Sequence, residues 1–238
     1  MGIWFWFVIA FIGFAFITLI RKWNDYSSLF TIAIGFAINA NIFNASTAPM
    51  SWGPLVFSID SILYTGFMFC VVICANEYGI RKAKILTLST IAAILLSASI
   101  ELFAKISTFG YSTEYMSNFG AYFFSSIGTF LGVWLMLLIF EKLKTKNTNI
   151  YFNIALCILI SSIVNSTIYY SYTLLISQAF ENFAYMLIGS YIGKIICINL
   201  SLISFYINTH LFIPNNLKGK YPAHSTADYY KSIDEEIS

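Results

Sequence analysis

A few polar side chains draw attention because of where they occur. Asn41, Asp60, Glu101, Asn165 and Lys194 lie inside or at the rim of long apolar runs, in a chain that is 58% hydrophobic and only 10% charged. A soluble domain carries about 25% charged residues. An ionisable group inside such a run is expensive to keep and is a functional candidate by default. The acids could pair with an amine or amidine of a solute, the amides with ring N–H and carbonyl groups, and the lysine could act as a binding cation. Asn76 and Glu77, which close another apolar run, are candidates at the opposite face.

Other chemistry finds no support in the residues. The four cysteines, Cys70, Cys74, Cys157 and Cys197, all sit in apolar runs with no histidine near them, and they read as small core hydrophobes. His210 and His224 read as solvated or interfacial. There is no metal cluster, phosphate loop, nucleophile–base pair or cofactor motif. The chain is therefore expected not to be an enzyme and to need no cofactor. A net charge of +2 gives no reason to expect nucleic acid as a partner.

The elements that must position these groups are membrane-crossing helices, since a run of about 20 apolar residues spans the hydrocarbon core. The expected spans are roughly 3–20, 28–44, 54–78, 85–106, 117–140, 150–176 and 183–212. The third, running from Asp60 through DSILYTGFMFCVVICANEYGIRKAK to Lys84, organises the rest. Nothing positive precedes the first span, so it is expected to stay rather than be cleaved. The connection 45–53 is uncharged and punctuated by Pro49 and Gly53. Residues 1–213 form one transmembrane domain, and 214–238 read as a disordered tail.

Basic residues fall in alternate connections: Arg21 and Lys22; Arg81, Lys82 and Lys84; Lys142, Lys144 and Lys146; Lys218 and Lys220. By the positive-inside rule the chain is an all-α polytopic bundle of about seven helices, N-terminus outside and C-terminus cytoplasmic. The expected location is the inner (plasma) membrane. Counted from the predicted helix ends, Asp60 and Glu101 lie about 9 Å deep and Asn165 and Lys194 about 15 Å, with Asn41 about one turn in. Five helices thus place polar groups in the outer half, where a cavity open to the outside would need them. Simpler roles stay open. Glu101 and Lys105 have the favourable i,i+4 order for a local ion pair. Asp60 could sit in the headgroups, Asn165 could be an interhelical hydrogen bond, and Glu77 could pair with Arg81.

The same residues carry a family resemblance. Asp60, the apolar run after it and the close Asn76-Glu77-Tyr78-Gly79-Ile80-Arg81-Lys82-Ala83-Lys84 resemble a segment of the vitamin uptake transporter family, whose better-known members are the queuosine precursor transporters. The family's "N-E-x-Y-G-x-x-x-A" close is one residue shorter here. Ser125-Ser126 leading to Phe140-Glu141-Lys142-Leu143-Lys144 resembles its serine-containing helix and "F-x-K-L-K" exit. Ser162-Ile163-Val164-Asn165-Ser166-Thr167-Ile168 resembles its "Q-x-x-D-T-x-I" helix, and Ser190-Tyr191 with Lys194 its final helix. The series runs in order over roughly residues 40–210. It departs at Ile73, Ser162 and Asn165, where the family has Asp, Gln and Asp, and among residues 133–136, where the family's Gln and Asp have no counterpart.

The resemblance implies a transporter that imports a small heteroaromatic solute, a 7-deazaguanine queuosine precursor or a vitamin-like compound. Asp60, Glu101, Asn165 and Lys194 would line its site. Aromatic side chains could stack on a flat ring. Two other readings remain: a substrate-binding subunit of an importer driven by a separate ATPase module, and a structural membrane protein that kept the fold. The expected partners are the bilayer, a small solute, and either an ATPase module or further copies of the chain.

Overall fold

The computed structural model describes residues 3–22, 26–46, 50–52, 55–57, 59–146, 149–177 and 180–211. The tail from 214 onward and the two histidine side chains lie outside the described residues. The described residues form seven helices and one short hairpin: α1 (Ile3–Lys22), α2 (Tyr26–Ser46), β1 (Met50–Trp52), β2 (Leu55–Phe57), α3 (Ile59–Glu77), α4 (Ile80–Phe109), α5 (Thr113–Thr145), α6 (Ile150–Ser177) and α7 (Phe180–Leu211). Four stretches are long and apolar enough to cross a membrane: Ile80–Phe109, Tyr115–Thr145, Ile150–Leu175 and Ala184–Asn208. Phe5–Leu19, Tyr26–Ala40 and Ser61–Glu77 are apolar but shorter. The molecule is a helical bundle built like a membrane protein.

The organising stretch is also the structural centre. α3 touches each of the other six helices. Its residues from Phe67 to Ala75 are all buried. A helix that is apolar all round has this fate. The outer helices instead turn large apolar side chains outward, as Leu96 and Phe103 do on α4. A surface of that kind suits lipid.

Three boundaries differ from the sequence expectation. The connection after α2 is not featureless: β1 and β2 pair antiparallel, with Met50 opposite Phe57 and Trp52 opposite Leu55. The third helix consequently starts at Ile59 rather than near Pro54. α4 starts at once after Gly79, so Arg81, Lys82 and Lys84 lie on its first turns instead of in a loop. Gly79 makes this possible with φ 89° and ψ 160°, a region essentially only glycine adopts. Lys82 then sits 5.4 Å from the Tyr26 ring centroid and 5.5 Å from that of Tyr78, and Lys84 sits 4.8 Å from that of Trp134. These ring contacts offset the poor placement of cations at a helix N-terminus. Finally, α5 continues through Lys142 and Lys144 to Thr145. Lysines near a helix C-terminus are favourable, so nothing stops the helix at the edge of its apolar run.

α5 and α6 approach closely where α5 carries Gly128-x-x-x-Gly132. A Cβ on Gly132 would lie 2.7 Å from the Ser161 carbonyl oxygen, and one on Gly128 would lie 3.2 Å from Asn165 Cα. Small residues four apart let two helix backbones meet in this way. At the other flank Asn208 of α7 donates to Thr18 Oγ1 and to the Ala15 carbonyl of α1 at 3.3 Å, joining the last helix to the first.

Candidate functional site

The close α5–α6 contact places Asn165 against α5. Its Nδ2 donates to the Ser125 carbonyl at 3.3 Å and to Thr129 Oγ1 at 3.2 Å. The interhelical role anticipated for Asn165 is therefore realised. The next residue, Ser166, faces α7. Lys194 Nζ donates to Ser166 Oγ at 2.5 Å and stands 5.1 Å from the ring centroid of Tyr64 on α3. Lys194 is only 4% exposed. A buried lysine is costly unless it is partnered, so contacts like these are required rather than optional.

The hydroxyls continue the chain. Ser166 Oγ is 3.5 Å from Ser190 Oγ, one turn before Lys194 on α7, and Ser190 Oγ is 3.3 Å from Ser61 Oγ in the first turn of α3. Ser61 therefore lies level with a residue ten positions into α7, about 15 Å along its axis. The start of α3 is recessed inside the bundle, and β2 packs against α7.

Around Lys194 is a small cavity of about 20 Å³, lined by polar groups of α5, α6 and α7 and by Tyr64 and Phe67 of α3; Ala37, Ala40 and Ile94 close it from α2 and α4. Its enclosed part has room for water rather than for a ring-sized solute. Tyr64 is buried, and its hydroxyl makes no hydrogen bond within 3.5 Å; the Thr129 and Ser161 hydroxyls are its electrostatic neighbours.

The site residues expected from the sequence fare differently. Asn165 and Lys194 share the cavity. Asp60 is on the first turn of α3 beside Ser61, and Asn41 is on the last turns of α2; both side chains lie outside the described residues. Glu101 does not line the cavity. It accepts from Lys105 Nζ at 2.6 Å and from the Tyr122 hydroxyl at 3.3 Å, and the Lys105 ammonium lies 5.7 Å from the Tyr115 ring centroid. Asn76 and Glu77 sit at the far end of α3, where Asn76 Nδ2 donates to Glu77 Oε1 at 2.7 Å and Lys144 Nζ reaches the Asn76 carbonyl at 3.4 Å. The four cysteines are buried and unbridged, and no group that could hold a metal occurs among the described residues.

Sequence reasoning missed Tyr64, Ser61, Ser166 and Ser190. The signal was in the spacing: Ser190 precedes Lys194 by four, on the same helix face, and Tyr64 follows Asp60 by four.

The chain was compared with family models, with curated proteins and with solved structures. It matches none of them.

Proposed function

We propose that the chain is a multi-pass carrier that moves a small, flat, polar solute across the inner membrane, with seven spans, the N-terminus outside and the C-terminus in the cytoplasm. The observation that carries the reading is the polar cavity around a buried lysine in an otherwise apolar bundle. Stability alone gives little reason to keep a lysine, an asparagine and several hydroxyls together there, since apolar packing would serve as well. The lining offers what a heteroaromatic solute needs: Tyr64, Phe67, Tyr169 and Tyr170 for the ring, and Lys194, Asn165 and hydroxyls for its carbonyl and N–H edges.

The resemblance to queuosine precursor transporters makes a 7-deazaguanine the first solute to try. The enclosed space as it stands is too small for such a ring, so binding must follow a parting of the helices around it. That is the behaviour expected of a carrier caught between open states. The orientation is supported by the grouping of basic residues: Lys82, Lys84 and Lys144 lie at the end of the bundle that holds Asn76 and Glu77.

The experiment is uptake of labelled 7-deazaguanines and flat vitamins by cells that lack their own importers and express this chain. Saturable uptake above that of control cells is expected. Equal uptake in both, with the protein present in the membrane, would remove the carrier reading.

A further inference from the structure

The geometry points to a proton relay. Ser61, Ser190 and Ser166 form a continuous hydroxyl path that loads and unloads a proton on Lys194, so that solute movement is coupled to proton movement. The path joins three helices that are far apart in sequence, with links of 3.3, 3.5 and 2.5 Å. Each serine is at least 97% buried. A hydroxyl is both donor and acceptor. Each one can therefore take a proton on one side and release its own on the other, with no net change in itself.

The two ends of the path differ as a relay requires. One end is a titratable amine inside the cavity. The other is Ser61, in the first turn of α3, where the backbone N–H groups of a helix start lack intrahelical partners and draw in water or polar side chains. Asp60, the preceding residue, is titratable and stands at that same end. Lys194 and Ser166 also suit each other in both charge states. The ammonium donates to Ser166 Oγ, and the neutral amine would accept from the same hydroxyl. The contact therefore survives loss of the proton.

Among the described residues, the titratable groups near Lys194 come from three helices. α3 presents Tyr64, α6 presents Tyr169 and Tyr170, and α7 presents Cys197 within electrostatic reach. The parts of α2, α4 and α5 that line the cavity are Ala37, Ala40, Ile94 and the hydroxyl-bearing Ser125 and Thr129.

The step balances simply. A hydronium ion at the start of α3 gives its excess proton to the path at Ser61 and becomes water, and one proton leaves the path onto the neutral amine of Lys194. The lysine gains one positive charge, which a carbonyl or anionic edge of the solute then meets. Release of the solute on the other side frees the proton there. Coupling to a solute depends on the carrier reading above; the relay itself does not.

Two measurements separate them. In the first, purified protein carrying lysines labelled with 13C at Cε is placed in nanodiscs, and the Lys194 signal, assigned by its loss in Lys194→Met, is followed from about pH 5 to about pH 12, bracketing the ordinary lysine value. A titrating signal is expected. A Lys194 fixed in one charge state throughout overturns the relay whatever the protein transports.

In the second, vesicles containing the protein and a pH-sensitive dye receive labelled 7-deazaguanine outside. Expected are accumulation under an inward proton gradient, its collapse with a protonophore, and acidification of the lumen that saturates with solute. Ser61→Ala should slow gradient-driven uptake about tenfold, equivalent to about 1.4 kcal/mol in the barrier, a larger loss than in exchange at equal pH. Exchange without any response to the gradient would sink proton coupling and leave the carrier standing. No exchange at all, with a titrating Lys194, would sink the carrier and with it the coupling.

Discussion

The ammonium of Lys194 and the ring of Tyr64 face each other at 5.1 Å inside the bundle, and the phenol hydroxyl on the same ring has no hydrogen bond. The ring and the hydroxyl can therefore be separated by mutation. Tyr64→Phe keeps the ring and removes a buried unpaired group, so thermal unfolding should show no loss of stability and a gain of up to about 1 kcal/mol. Tyr64→Leu removes the ring and should cost about 1–2 kcal/mol, since a desolvated cation–π contact is worth about that. If the hydroxyl serves the solute, Tyr64→Phe should still lower uptake.

Lys194→Met tests the cation itself. The variant should insert and fold, because an apolar side chain of similar length removes a buried charge, but uptake should fall at least about a hundredfold, near 2.7 kcal/mol of lost stabilisation. Membrane fractionation and uptake in the same cells give both readouts. Full uptake by a stable Lys194→Met protein would take this residue out of the site.

Glu101 should behave as a surface pair. Its side chain is 37% exposed and that of Lys105 is 36% exposed. Glu101→Gln should change stability by no more than about 0.5 kcal/mol, the range of an exposed i,i+4 pair, and leave uptake as it was. A large loss of uptake with normal folding would return Glu101 to the site.

Two glycines should respond oppositely to alanine. A Cβ at Gly132 meets the backbone oxygen of Ser161, whereas a Cβ at Gly35 meets nothing within 4 Å. Gly132→Ala should destabilise by about 1–3 kcal/mol through forced separation of α5 and α6. Gly35→Ala, in the middle of α2, should stabilise by about 0.5–1 kcal/mol. Unfolding of the purified variants in detergent gives both values.

Orientation can be checked directly. Reporter fusions at Ser46 and Thr145 should report opposite sides of the membrane, with Thr145 cytoplasmic, as the alternating basic connections require. The same side for both would remove the seven-span arrangement.

The helices were legible because an apolar run with a charged edge leaves little alternative. α6 was expected over 150–176 and is observed over Ile150–Ser177. The edges of apolar runs proved poor guides to helix ends: Lys142 and Lys144 are helical although they lie past the last large apolar block of α5. The hairpin was missed because its strands are three residues each, too short for a period to declare itself. In the site, Lys194 and Asn165 stood out by type. Their serine partners did not, because one serine in a membrane helix looks like any other until its opposite number is known. Glu101 was grouped with them by depth alone, and depth says nothing about which way a side chain faces.

The hydroxyl path from α3 through α7 to α6 also sets an order of events during synthesis. Ser61 enters the membrane on the third helix, and Ser166 arrives on the sixth, but the two are joined only through Ser190 on the seventh. Until the ribosome has delivered α7, the interior face of α3 has no permanent neighbour on that side. The nascent protein must be sheltered there by lipid or by the insertion machinery. A chain that stalls after α6 would keep six of its helices and leave the α7-facing side of α3 uncovered.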